Sequence, residues 1–443
     1  MPLRVAIIGA GSLEFTRRLL MDMLAVPEFR NTEFRFMDIN ADRLRKVGAV
    51  CRRIVEENKL PAKLTLTADR LKALKDADYV FCVARVGGLE AFAKDVEIPL
   101  KYGVDQCVGD TLCAGGIFYA QRTIPVLLDI CKDMRKVCPD ALLINHTNPL
   151  AMNSWAVEKA GGVRYVGLCH GVEGGAHRIA QAFNIPVEEL DFVCAGINHQ
   201  SWYIKASHKG RDLTGRLLRA MEKHPEISRQ EPVRIDMLRR FGYFSTESNG
   251  HLSEYVAWYR KGRGWKKKWV CRDAWILGPT GGYLGYCRRT ADYFDEHYRK
   301  IVKGDEPLPE LGKRSSEHGS YIMEAIETGR PYRGYFNVPN RGLIANLPLE
   351  CIVEVPGYVD RHGIQPLRVG ALPPQCAAVC RQSVIVQELA VEAALTGNKD
   401  LVRAAVALDP LCGAILDTQQ VWNMCDEMFK ALRKWMPQFK GKR

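Results

Sequence analysis

A short apolar run that breaks on a glycine turn and restarts as a helix leaves few folds open to a chain. Here Val5-Ala6-Ile7-Ile8 runs into Gly9-Ala10-Gly11-Ser12, a helical stretch follows to about Leu24, and a second strand over 34–37 ends at Asp38. Strand, turn, helix and strand make a βαβ unit, whose parallel strands belong in a sheet covered on both faces. Further strand candidates at 79–83, 141–145 and 164–168 alternate with helix-period stretches such as 116–137, the pattern of a doubly wound parallel sheet.

The glycines let a backbone approach a pyrophosphate, and the helix start offers it N–H groups. A carboxylate ending the second strand accepts hydrogen bonds from a ribose and disfavours a 2′-phosphate. Gly9, Gly11, Ser12 and Asp38 therefore predict an NAD site. Glu14 stands where the third glycine of Gly-x-Gly-x-x-Gly would fall, so the surrounding βαβ pattern carries the reading.

With 443 residues, 47% of them hydrophobic and 26% charged, the chain can bury two lobes. The pattern changes after about Gly196 to mixed strands and longer helices near 283–302, 376–396 and 415–436. The expectation is an α/β protein of lactate/malate dehydrogenase type: an N-terminal Rossmann lobe over 1–196 and a mixed α+β lobe over 197–443. No low-complexity linker divides them, so the second lobe is expected to pack on the first, with the substrate in the cleft between.

The fifteen cysteines are odd in number and form no Cys-x-x-Cys pair, which fits reduced thiols and a cytoplasmic setting. The apolar residues between Met1 and Ile8 read as a strand rather than a signal peptide, and no stretch approaches the roughly 20 apolar residues a bilayer span needs. No membrane contact is expected. The net charge of +12 is dispersed; Lys261 to Trp269 interleaves bases with aromatics, but no nucleic-acid-binding motif accompanies it, and no nucleic acid is expected.

Cys169 falls just past the strand at 164–168, on the carboxyl edge where ligands of doubly wound folds collect, and His199 follows a further apolar strand at 192–197. Taken singly, such residues are more often a core thiol and a hydrogen-bonded imidazole. Brought together, they would give a divalent cation two protein ligands and leave open positions for a substrate.

An ordered set of motifs spans nearly the whole chain: Ile8-Gly-Ala-Gly11-Ser, Arg85-Val-Gly-Gly88, Ile98-Pro-Leu-Lys-Tyr-Gly103, Gly109-Asp-Thr111, Gly115-Gly-Ile117, Thr147-Asn-Pro149, Gly167-Leu-Cys-His170, Ala195-Gly-Ile-Asn-His199, Asn337-Val-Pro-Asn340, Val353-Glu-Val-Pro356 and Asp409-Pro-Leu411. In these the chain resembles glycoside hydrolase family 4, whose members use NAD and a metal. The resemblance implies that Cys169 and His199 bind a divalent metal, usually manganese. A thiolate suits zinc better, so manganese comes from the resemblance and not from the ligand set.

The resemblance also implies a redox-neutral route. Hydride leaves sugar C3 for NAD, the ketone acidifies the C2 proton, a base removes it, and the aglycone leaves C1; water then adds and the hydride returns. The metal polarises the C2 and C3 oxygens. Asp110 resembles the aspartate that helps at C3, although a bare Gly-Asp-Thr is ordinarily a turn. Asn148 and Asn198 resemble the asparagines that hold sugar hydroxyls, with turn formation as their plainer role. Arg85 is expected to face the substrate, and His170 is the candidate acid toward the leaving group. The stretch 241–255 resembles the branch acting on α-galactosides and α-linked uronic acids, and offers Tyr243, Glu247, His251 and Tyr255 as bases at C2.

Two departures stand out. Leu112-Cys113-Ala114 replaces the family's usual Gly-Pro-Gly-Gly start, which puts the local backbone shape in question. Cys169-His-Gly-Val172 is closer to the Cys-His-Gly of the α-glucuronidase branch than to the Cys-His-Ser-Val of α-galactosidases. The expected substrate is a small-molecule glycoside or oligosaccharide, unphosphorylated and α-linked, with a uronide (α-glucuronide or α-galacturonide) slightly ahead of a galactoside. The resemblance implies a homodimer or homotetramer. The rival readings are a 2-hydroxy-acid or malate-like dehydrogenase, which would release NADH, and a non-catalytic NAD-binding protein.

Overall fold

The computed structural model describes residues 2–308 and 311–439, so the expected lobe limits at residues 1 and 443, and Met1 itself, lie outside the described residues. Six strands, β1 (Arg4–Ile8), β2 (Glu33–Met37), β3 (Lys63–Thr67), β4 (Tyr79–Cys82), β5 (Leu142–Asn145) and β6 (Arg164–Gly167), pair in parallel in the order 3-2-1-4-5-6. This is the doubly wound dinucleotide order.

Strand alternation divides the core. Val5 and Ile7 face the buried side chains of the helices Leu13–Leu24 and Ala41–Glu57, among them Leu20, Val47 and Ile54. Ala6 and Ile8 face the other way, onto Leu127, Ile130 and Met134 of the helix Cys113–Val137. Each large aliphatic side chain so removed from water is worth about 1.5–3 kcal/mol, which is why β1, β4 and β5 each carry three or four apolar residues in a row. The strand expectations at 34–37, 79–83, 141–145, 164–168 and 192–197 all hold to within two residues. β3 was not anticipated: Lys-Leu-Thr-Leu-Thr is an edge strand with only half its side chains covered, so it carries no apolar run.

Beyond residue 189 the strands turn antiparallel: β7 (Leu190–Ile197), β8 (Gln200–His208), β9 (Arg211–Asp212), β10 (Phe244–Ser245), β11 (Tyr332–Pro339), β12 (Ile352–Asp360) and β13 (Gly363–Pro366). They do not form a separate sheet. β11 pairs with β6 through Asn337 and Gly167, and β12 pairs with β7 through Glu354 and Gly196, giving one 13-stranded sheet. The two parts join by strand pairing as well as by packing, and a limit at 196/197 falls inside β7. Residues of the helices Gly282–Lys303 and His318–Thr328 complete the core over the first βαβ unit.

That pairing positions the functional residues. Gly167 and Gly196 lie in line across β11 and β12, so the segments that follow them, ending in Cys169 and His199, leave the sheet on one edge. All fifteen cysteines are free. Among the described residues no helix is long and apolar enough to cross a membrane.

Candidate active site

At the first turn, the N–H groups of Gly9 and Ala10 donate to Met37 O at 2.9 and 3.0 Å. Gly9 has φ +90°, and a Cβ there would lie 2.5 Å from Ala84 Cα; one on Gly11 would lie 2.7 Å from Asp38 Oδ2. At Gly9, against backbone, only glycine admits so close an approach, and a side chain at Gly11 would displace the Asp38 carboxylate. Gly11 N–H donates to Asp38 Oδ2 and Asn40 N–H to Oδ1, both at 2.8 Å. Asp38 is thus fixed beside the turn, with lone pairs left for ribose hydroxyls. Ser12 precedes the helix in extended conformation, and its side chain makes no cap bond. Glu14, in the third-glycine position, is ion-paired with Arg17 at 2.7 Å and lies 3.2 Å from His297 Nδ1. Backbone cradle, helix start and carboxylate suit an NAD molecule.

Beyond the sheet edge, Cys169 Sγ lies 3.5 Å from Glu247 Oε1, and His199 Nε2 lies 3.8 Å from the same oxygen. The three donors fall within 4.8 Å of one another, as do those of a second, overlapping group: Asp110, His199 and His251. A thiol, imidazoles and carboxylates at this spacing form a donor set for a divalent metal.

Hydroxyl groups orient both imidazoles. Thr111 Oγ1 donates to Asp110 Oδ1 at 2.9 Å, so toward His199 Nδ1, 2.8 Å away, it acts as acceptor. His199 then carries its proton on Nδ1 and presents a bare Nε2 to Cys169 and Glu247. Ser248 Oγ donates to Ile276 O at 2.9 Å and meets His251 Nδ1 at 2.7 Å, which leaves His251 Nε2 bare in the same way. Burial holds His251 down to about 4, so it is neutral. Burial would raise the Glu247 carboxyl, but in acid, where the neighbouring imidazoles of His199, His251 and His170 take up protons, their charge outweighs it and holds the group at about 2, so Glu247 is a carboxylate wherever His251 is neutral. The Cys169 thiol is pushed well up, first by burial and then by Glu247.

Other expected residues gather around Asp110. Asn148 Nδ2 donates to Asp110 Oδ2 at 3.1 Å, and Arg85 Nη2 approaches that oxygen to 3.7 Å. The Arg85 guanidinium packs over the rings of Phe92, Tyr119 and Tyr283 and leaves Nη1 unpartnered. Asn198 is buried with neither amide atom bonded. Tyr255 is buried, its OH 3.4 Å from His199 Nδ1. His170 stands at the rim with 68% of its side chain exposed and Nδ1 3.8 Å from Glu317. Tyr243 stays outside, half-buried against the apolar core. Glu247 and His251, expected only as candidate bases, lie among the donors. In the altered loop Cys113 takes φ +60°, a region where glycine is usual. Of the basic stretch, Lys266 turns inward to Asp105 at 2.9 Å and Lys268 covers Trp269.

Three contributors were missed from sequence. Thr111 enters the sequence pattern only as the last residue of Gly109-Asp-Thr111. Glu354 is fully buried, accepting from Ser201 Oγ and Asn337 Nδ2 at 3.0 Å each, and burial pushes its carboxyl up to about 7. A charge inside the apolar strand Ile352-Val-Glu-Val was the available signal. Glu254, fully buried, is the third.

A dehydrogenase-type sheet with metal-grade donors at its carboxyl edge defines an enzyme that combines a dinucleotide with a cation. Residues 4–185 match the model of the family 4 glycosyl hydrolases, and 194–412 match that of the family 4 glycosyl hydrolase C-terminal domain. An alpha-galactosidase of Rhizobium meliloti is 52% identical over 439 residues, 98% of this chain and 89% of the relative. An alpha-galactosidase of Bacillus subtilis is 34% identical, covering 99% of this chain and all of the relative. An alpha-galacturonidase of Thermoanaerobacter italicus is 26% identical over 98% of this chain and 97% of the relative. Among solved structures, the 6-phospho-beta glucosidase of Thermotoga maritima with manganese, NAD+ and glucose-6-phosphate superimposes with a TM-score of 0.80 at 24% identity, over 98% of this chain and 99% of its own. The chain belongs to family 4 of the glycosyl hydrolases and is a glycosidase.

Proposed function

We propose that this glycosidase hydrolyses an unphosphorylated, α-linked galactoside with NAD and a divalent metal, manganese foremost. The observation that carries the reading is the Cys169, His199 and Glu247 donor set on the carboxyl edge of the dinucleotide sheet. The sequence reading puts a uronide first; full-length likeness to two alpha-galactosidases weighs more than the short Cys169-His170-Gly171 signature.

Bound NAD would supply reversible hydride removal at sugar C3, and the metal Lewis acidity toward the C2 and C3 oxygens. Cys169, His199 and Glu247 would hold the metal, and Gly9, Gly11, Ser12 and Asp38 the dinucleotide. Asp110, steadied by Asn148 and Arg85, takes the C3 hydroxyl proton. His251 offers a neutral imidazole with Nε2 bare to the C2 proton, with Tyr255 next to it. His170, at the rim, protonates the leaving oxygen. Asn198, buried and unpaired, meets sugar hydroxyls. The two-lobe division at 196/197, a homodimer or homotetramer and a cytoplasmic setting complete the proposal.

The test is nitrophenol release from α- and β-galactosides, glucosides, glucuronides and galacturonides, with NAD and manganese added and withheld. Cleavage of the α-galactoside that needs both, without net NADH, is expected. Preference for a galacturonide or glucuronide would move the assignment to the uronide, and steady NADH from a hydroxy acid to a dehydrogenase.

A further inference from the structure

We infer that Glu254 is a positioning residue: its carboxylate holds the loop that carries Asp110 and Thr111, and through them sets how His199 faces the metal donors. The inference rests on the metal-dependent reading above. Glu254 is fully buried on the helix Asn249–Tyr255, the helix that also bears His251 and Tyr255. Its Oε2 accepts the N–H groups of Cys107 at 2.6 Å and Val108 at 3.0 Å, and its Oε1 accepts that of Gly109 at 2.9 Å. Successive N–H groups that converge in this way form an anion-binding nest, and here the protein's own side chain fills it: burial pushes the Glu254 carboxyl up to about 7, while the Arg260 guanidinium and the three N–H bonds favour its ionised form.

Position gives this nest its consequence. Asp110 and Thr111 follow Gly109 directly, and Thr111 passes the register on to His199 Nδ1. Tyr255, next to Glu254, approaches the same imidazole nitrogen. One helix end therefore grips the loop and the imidazole together. Tilting the loop would move Thr111 away from Nδ1 and release the tautomer that bares Nε2.

The rest of the loop is tied by other side chains. Arg260 binds Asp105 through both its carbonyl and its carboxylate, and Thr280 and Lys266 reach that carboxylate too. Gln106 bridges Asp95 O and Gly115 N. Loss of Glu254 thus leaves the loop's ends attached and frees the short segment that reaches Asp110.

The test compares full-length Glu254→Gln and Glu254→Asp with the wild type. Gln keeps the shape but turns an NH2 group onto at least one loop N–H; Asp keeps the charge but withdraws it by one carbon. Manganese affinity is read from the electron paramagnetic resonance of free Mn2+, NAD affinity by fluorescence quenching, and kcat and KM with a nitrophenyl α-galactoside. For Glu254→Gln, manganese affinity is expected to fall about tenfold or more and kcat about 100-fold, with NAD affinity within about twofold; Glu254→Asp should fall between Gln and wild type. Wild-type manganese affinity and kcat in Glu254→Gln would overturn the inference. So would parallel loss of NAD and manganese binding in both variants, which would make Glu254 a general support of the fold. If the wild type cleaves no glycoside, the glycosidase reading fails by itself, and the manganese and NAD affinities still decide the role of Glu254.

Discussion

Thr111 binds the Nδ1 side of His199 at 2.8 Å while giving its own proton to Asp110, and the direction of that chain decides which imidazole nitrogen is free. Metal-binding histidines commonly have the far nitrogen fixed by such a partner. Thr111→Val removes the hydroxyl at nearly constant volume and should weaken manganese binding about 10- to 100-fold, whereas Thr111→Ser should keep it. A manganese titration of both variants checks this; equal affinity in Val and Ser would disconnect the hydroxyl from the metal.

Cys169 holds its proton tightly, so a metal must displace it. Apparent manganese affinity of the wild type should rise with pH, by up to about tenfold per unit for one released proton. In Cys169→Ser the hydroxyl keeps its proton and no thiol proton is released, so the slope should flatten and cadmium affinity should fall more than manganese affinity. Titrations at several pH values settle it, and an unchanged slope in the Ser variant would place the released proton elsewhere.

Asp38 is the proposed discriminator between NAD and its 2′-phosphate. Asp38→Asn keeps an oxygen for the Gly11 or Asn40 N–H but removes the charge. NAD affinity should drop about tenfold, the scale of one charged hydrogen bond, and NADP should lose less or improve. Fluorescence titration with both nucleotides gives the ratio; an unaltered preference would remove Asp38 from the selection.

His146 is buried between Phe15 and Phe81, with Glu317 3.8 Å away, and burial holds it down from 6.5 to about 4. Between those values the unfolded chain takes a proton that the folded one refuses, so stability falls as pH falls through this window and is complete above it. The loss is on the order of 3 kcal/mol. His146→Phe cannot titrate, so the wild type should lose stability relative to it between pH 7 and pH 4.5. Urea unfolding of both at the two pH values measures the difference; a constant gap would count against the buried neutral state.

The dinucleotide half was legible because its signals are local. Val5 to Ile8 alternates between two covered faces, Gly9 and Gly11 allow the close approach, and Asp38 ends its strand; a short window holds all three. β3 was not, since an edge strand covered on one side needs little apolar content. At the site, Cys169 and His199 stood out through strand ends and motif likeness, but Thr111 and Glu254 did not. Their roles are hydrogen bonds to partners 88 and 145 to 147 residues away, and no periodicity records such a bond.

By itself, then, the sequence determined the βαβ start, five of the six parallel strands and the residues that end them, because burial on two faces and glycine's freedom act over a few neighbouring positions. The tertiary structure alone decided that Glu247 joins Cys169 and His199, that Glu254 holds the loop of Asp110, and that both halves share one sheet. Those outcomes depend on pairing distant backbone, Gly167 with Asn337 and Gly196 with Glu354, and on carboxylates finding donors only after that pairing has closed.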